Sequence, residues 1–185
     1  MNFMPLNQYP VEGSIIGRLL TGYVDLELDL CHCVSAAVDN FDTVFKAMFK
    51  DRGEARRIKE AEQLGKAAIS RFGLSGDFDN AIDAMRYCLL IRNQYSHHIF
   101  WHDHSGQLAI ANLEDIAKTN TVTGLESLAS HHVSTALLQK QEQYFKYADV
   151  LLGWINFECR LKRSEIAVNP IPKPNSLVKP VLHLP

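Results

Sequence analysis

Apolar side chains at Ile15, Leu19, Tyr23, Leu26, Leu30, Val34 and Val38 recur at steps of three and four from about Ser14 onward. That period is one face of a helix. The inner run from Val24 to Leu30 also alternates with period two, as a strand would, but the longer period passes through it and no turn residue bounds it. Asp39, Asn40 and Asp42 predict a break and a new N-cap, after which Val44, Phe45, Met48 and Phe49 form the next apolar face. Gly53 interrupts again, residues 54–71 read as a polar helix, and Gly73, Ser75 and Gly76 mark a loop with Ser75 or Asp77 available to cap the next helix. Residues 77–98 are amphipathic. At about 100° per residue, Phe78, Ile82, Met85 and Leu89 gather on one side and Asp79, Asp83, Arg86, Asn93 and His97 on another.

The helical period stops after His98. Residues 99–104 and 107–113, separated by Ser105-Gly106, are rich in alternating, aromatic and β-branched positions and predict a β-hairpin. Residues 118–124 read as a polar loop. Helical spacing returns over residues 125–163, through Leu128, Leu138, Phe145, Ala148, Leu152, Ile155 and Cys159, with His131-His132 near its start as a surface pair. Unbroken, that helix would run about 58 Å at 1.5 Å per residue, against roughly 40 Å for a compact domain of this length. It is therefore expected to break or to project into a partner. The expected organisation is an N-terminal arm over 1–13, a helical domain over 14–163, and a Pro-rich extended tail over 164–185. The fold class is all-α, a helical bundle with a short β-hairpin inserted after the helix that ends near His97.

Composition narrows the field. With 185 residues, 46% hydrophobic and 22% charged, the chain suits one ordinary domain, and no run of 18 apolar residues offers a membrane span. The opening Met1-Asn2-Phe3-Met4-Pro5 lacks the basic and apolar regions of a secretory signal, so a cytoplasmic location is expected. Cys31, Cys33, Cys88 and Cys159 sit in apolar helical segments and read as reduced, buried thiols; Cys31-His32-Cys33 has no second ligand pair at zinc spacing. A net charge of -2 argues against a wholesale nucleic-acid binder and leaves room for a local basic patch. Arg52, Arg56, Arg57 and Lys59 are such a patch: either a solvated helix face offset by Glu54, Glu60 and Glu62, or a contact to phosphates. No Gly-rich phosphate loop or Gly-x-Ser-x-Gly elbow occurs, which disfavours nucleotide hydrolases and serine esterases.

The densest chemistry lies in Arg92-Asn93-Gln94-Tyr95-Ser96-His97, running into His98-Ile99-Phe100-Trp101-His102-Asp103-His104. Asn93 and His97 are one helical turn apart and so neighbours, whereas Arg92 and His97 are separated by about 140° around the axis. Arg92 falls on the apolar side and needs a carboxylate or several carbonyls, since an unpaired buried charge is costly; Asp25, Glu27 and Asp29 are candidates. Two copies about a two-fold axis would also bring Arg92 and His97 together. A metal site from His97, His98, His102, Asp103 and His104 is disfavoured, because adjacent histidines on a helix point in different directions; no metal or other cofactor is expected.

Arg92-Asn93-x-x-x-His97 at the end of a helix, in a chain of helices, resembles the motif of the HEPN superfamily, and Trp101 resembles the aromatic that follows the motif histidine in several members. The resemblance covers the layout of residues 14–163 and the sequence of 92–101. It implies a helical bundle, a homodimer whose motifs meet in a cleft, and metal-independent endoribonuclease activity in toxin-antitoxin or other defence systems; the alternative is a catalytically inactive binding or interaction module. By position, Arg92 would hold the scissile phosphate, His97 would transfer a proton, and Asn93 would orient one of them. Ser96, Trp101 and His102 are candidate substrate contacts. The implied partners are RNA and a cognate antitoxin or nucleotidyltransferase-type protein, with no membrane.

Overall fold

The computed structural model describes residues 5–50, 52–102, 105–118 and 131–184, with Glu114 and Asp115 described by backbone only. A 3-10 turn at Pro5–Asn7 leads into α1 (Pro10–Val38), followed by α2 (Phe41–Phe49), α3 (Glu54–Ser70), α4 (Ser75–His97), β1 (His98–His102), β2 (Leu108–Asn112), α5 (Leu113–Ala117), β3 (His131–Val133) and α6 (Thr135–Lys162). No described helix is long and apolar enough to cross a membrane. The chain divides into two compact units: one of Met1–Thr21, Leu90–Gln143 and Lys179–Pro185, the other of Gly22–Leu89 and Tyr144–Val178.

The second of these units is helical. Tyr23, Leu26, Leu30, Val34, Val44, Met48, Ile58, Ile69, Phe78, Ile82, Met85, Leu152 and Ile155 are among its buried positions, on the three-and-four spacing that predicts the helices. The break between α1 and α2 is made by Asp39 in the left-handed region (φ 62°) and by the Asn40 side chain, which accepts from Thr43 N at 2.9 Å. Gly65 lets α3 approach α4, for a Cβ there would lie 2.7 Å from the Phe78 ring. Buried Glu27 accepts from Arg57 at 2.6 Å, and Arg56 pairs with Glu60 at 3.8 Å, so this part of the basic run is largely offset by carboxylates. All four cysteines are free and buried.

The other unit carries an antiparallel sheet in the order β1-β2-β3, with Phe100 opposite Ile110 and Ile110 opposite His131. Leu108, Ala109, Ile110 and Ala111 of the central strand are all buried, as are Ile15, Leu19, Ile91, Tyr95, Val133 and Leu138 of the same unit. The predicted hairpin is present, but it starts at His98 and gains a third strand. His131 and His132 are half-buried strand residues here rather than the start of the last helix, because the second edge of an apolar β2 needs backbone partners as much as its first. Helix α6 begins at Thr135, where the Ser134 hydroxyl accepts from Leu137 N at 3.2 Å. Its 28 residues span about 42 Å, which resolves the length conflict of the 125–163 reading. Helix α1 starts four residues earlier than Ser14, at Pro10, a position where the missing N–H costs nothing.

The Pro-rich end is extended, as its prolines require, but it is held at two stretches, around 169–173 and around 181–184. Within the helical unit Asn169 donates to Trp154 O and to Glu158, Lys173 pairs with Asp77 at 2.6 Å, and its ammonium lies 4.7 Å from the Trp154 ring centroid. Within the sheet-bearing unit Leu184 exchanges two backbone hydrogen bonds with His132, at 2.8 and 3.1 Å.

Candidate functional site

Helix α4 passes into β1 without a linker, so His97 is the last helical residue and His98 the first of the strand. Arg92, half-buried five residues earlier, donates from Nη1 to Asn93 Oδ1 at 3.1 Å and, at a long 3.4 Å, to Ser96 Oγ. The Ser96 hydroxyl in turn donates to Asn93 O at 3.2 Å. Of the carboxylates foreseen for Arg92, Glu27 is held by Arg57, and Asp29 shares a hydrogen bond with Asp149.

Asn93 also faces the other way. It lines a cleft of about 320 Å³ together with Leu90, Gln94 and His97 of α4, His98 at the start of β1, Asn112 at the end of β2, and Leu182 and His183 of the C-terminal segment. Three imidazoles and three carboxamides therefore share the lining, with no carboxylate among these described residues. Such a lining can donate hydrogen bonds and move protons while offering little repulsion to an anion.

The far wall is held by two buried glutamines. Gln94 Nε2 donates to Leu182 O at 2.7 Å, and Gln141 Nε2 donates to Val181 O at 3.0 Å and to Leu182 O at 2.9 Å. Gln141 Oε1 accepts from the Tyr95 hydroxyl, whose pKa burial pushes up, so the tyrosine stays a neutral donor. The His183 ring stacks on His131, centroids 3.6 Å apart and planes 24° from parallel, and its Nδ1 is buried without a partner among the described residues. Desolvation, then the nearby His183 and His132, lowers the His131 pKa and favours its neutral form.

Compared with family models, curated proteins and solved structures, the chain matches none.

Of the residues singled out in the sequence, Asn93 and His97 open on the cleft; Arg92 connects to it through Asn93, and Ser96 serves as a second hold on Arg92. Trp101 and His102 are absent from the lining, since strand geometry carries them away at about 3.3 Å per residue. His102 Nδ1 instead lies 2.6 Å from the Tyr9 hydroxyl, which donates to Gln107 O at 2.9 Å. Asp103 and His104 lie outside the described residues. Among the described residues no group of three or more His, Cys, Asp or Glu side chains is placed to hold a metal.

Six lining residues stand outside the sequence-predicted site: Leu90, Gln94, His98, Asn112, Leu182 and His183. Asn112 was within reach, because a hairpin centred on Ser105-Gly106 puts it opposite His98. His183 was not, as a lone histidine in a proline-rich segment points nowhere until the segment docks.

Proposed function

We propose that the chain is a metal-independent endoribonuclease of the HEPN type, working as a homodimer in a toxin-antitoxin or defence setting with an antitoxin or nucleotidyltransferase-type protein as partner. The observation that carries the reading is the position of Asn93. It accepts from the Arg92 guanidinium and lines the same cleft as His97, so the three motif residues form one connected group at the helix end. In this reading His97 takes the proton of a ribose 2'-hydroxyl, and the 2'-oxygen forms a bond to phosphorus as the bond to the 5'-oxygen breaks. A second imidazole, His183 or His98 of the same cleft or His97 of the second copy, gives the leaving oxygen its proton. Arg92 leaves its long contact to Ser96 and stabilises charge on the phosphoryl oxygens. The products are a 2',3'-cyclic phosphate and a free 5'-hydroxyl.

RNA cleavage in chelator-containing buffer tests this directly. Arg92→Ala and His97→Ala are each expected to lower the rate by about 10²–10⁴-fold, the range for losing a proton-transfer group or a charge-stabilising donor. Full cleavage by both variants would sink the proposal. A HEPN-like binding module without catalysis is the second reading, favoured by the engagement of Arg92 with Asn93 and Ser96 instead of the open cleft. A purified dimer that cleaves no RNA and retains a bound protein or nucleotide would decide for it.

A further inference from the structure

One wall of the α4 cleft is a strap of extended chain. Residues 175–179 are all exposed and lead into the docked residues 181–184. Neutral groups hold the docked part: the Gln94 and Gln141 amides on the Val181 and Leu182 carbonyls, two backbone hydrogen bonds between Leu184 and His132, and the His183 ring on the ring of His131. Hydrogen bonds between neutral groups exchange readily for bonds to water, so such a hold is modest and a charge placed inside it can undo it.

The ring stack is where that charge can enter. His183 and His131 lie 3.6 Å apart between centroids with planes 24° from parallel, a contact that two neutral imidazoles tolerate and two imidazolium ions do not. An imidazolium carries a proton on both nitrogens, and His183 Nδ1 is buried without a hydrogen-bond partner among the described residues, so the charged ring would bury a donor with no acceptor. His132 sits beside His131 on β3, and His97 and His98 of the α4–β1 junction line the same cleft as His183. From β2 come Ile110, opposite His131, and Asn112 in the lining, neither of which titrates; Lys179 on the approach to the strap is exposed. Glu12 of α1 accepts from the Thr135 hydroxyl at the start of α6, but the charges acting on His131 are those of His183 and His132. Desolvation first, and then those two histidines, lowers the His131 pKa, so docking goes with the neutral ring and release with the charged one.

We propose that His131 and His183 form a proton-operated latch on the C-terminal wall of the cleft, closed while both rings are neutral and opened as the stack takes up protons. A histidine whose docked pKa is lowered binds its proton more readily once released. The closed state is therefore at full strength above the ordinary histidine value of 6.5 and weakens as pH falls through it toward the docked value. Opening carries Leu182 and His183 out of the lining. That this lowers RNA cleavage rests on the ribonuclease reading of the cleft, whereas the latch itself does not.

Amide hydrogen exchange followed by NMR in chelator-containing buffer reads the latch without RNA. The Leu184 and His132 amides, which bond to each other's carbonyls, are the reporters. Normalised to the intrinsic exchange rate at each pH, their protection is expected to fall about three- to tenfold between about pH 7.5 and about pH 5.5, the upper value being that of one histidine that stays neutral while docked. Protection at Ile58 and Ile69 of the helical unit should not fall. His131→Phe and His183→Phe keep a ring in the stack and remove its charge, so each should weaken the pH dependence and the two together should abolish it, with protection at the higher pH retained. His132→Gln leaves the stack intact and should keep most of the dependence at Leu184. If the phenylalanine variants do not fold, His131→Gln carries the test. In the natural chain RNA cleavage should fall together with the protection, and a strap that opens on acidification in a chain that cleaves no RNA at any pH supports the latch while removing the ribonuclease reading. The latch is overturned if the normalised protection of Leu184 and His132 is the same at both pH values, or if folded variants without the ring charges keep the dependence of the natural chain.

Discussion

Asp29 shows how one side chain can work against the fold that buries it. Desolvation, then Asp149 and Asp25, raises its pKa from the ordinary carboxylate value to about 6. A carboxyl with a raised folded pKa stabilises the protein while both states hold the proton, and that contribution is lost as pH rises through the window from about 4 to about 6. Asp29→Asn is therefore expected to raise the melting temperature at pH 7.5 and to change it little at pH 4. Its gain at the higher pH is about 1 kcal/mol once the half-exposed position is allowed for. Thermal melts of the two proteins at both pH values check the sign. At the same scale the sequence placed Asn93 and His97 on one face correctly, because one helical turn separates them whatever surrounds the helix. The destination of the Arg92 guanidinium was illegible, since a long side chain chooses among partners that only the folded neighbourhood offers.

At the scale of elements, the approach of α3 to α4 rests on a missing side chain. A Cβ at Gly65 would lie 2.7 Å from Phe78 Cζ and 3.1 Å from Val34 Cγ2, so neither ring nor methyl can yield freely inside a packed core. Gly65→Ala should destabilise by about 1–3 kcal/mol despite the better helix propensity of alanine, and Phe78→Leu in the same chain should recover part of the loss. Urea denaturation of the single and double variants measures both effects. The longer helices were readable from periodicity, because each buries a continuous face at fixed spacing, whereas the five-residue α5 was not. β3 and the start of α6 were not. Three residues, His131-His132-Val133, carry no period long enough to read, and become a strand by pairing with a β2 more than twenty positions earlier.

Across the whole molecule, the candidate cleft depends on the C-terminal segment. Gln94 and Gln141 hold the Val181 and Leu182 carbonyls, Leu184 pairs with His132, and His183 enters the lining. Removal of residues 179–185 is expected to lower RNA cleavage more than about tenfold, through loss of the wall and of one candidate proton carrier. It should also leave two buried glutamines short of acceptors, at about 1–3 kcal/mol for each unsatisfied group. Cleavage assays and denaturation of the shortened chain test the two consequences separately, and unchanged cleavage would remove His183 from the reaction.

The amino-acid sequence by itself determined the longer helices, the hairpin, the buried thiols and the neighbourhood of Asn93 and His97, all of which depend on residues within one or two turns or across one tight turn. The tertiary structure decided the third strand, the partners of Arg92 and the cleft. Those features are built by segments that lie up to about ninety positions apart, at Asn93, Asn112 and His183. Their meeting is governed by which carbonyls and ring faces remain unsatisfied after the helices have packed, and no local pattern encodes that.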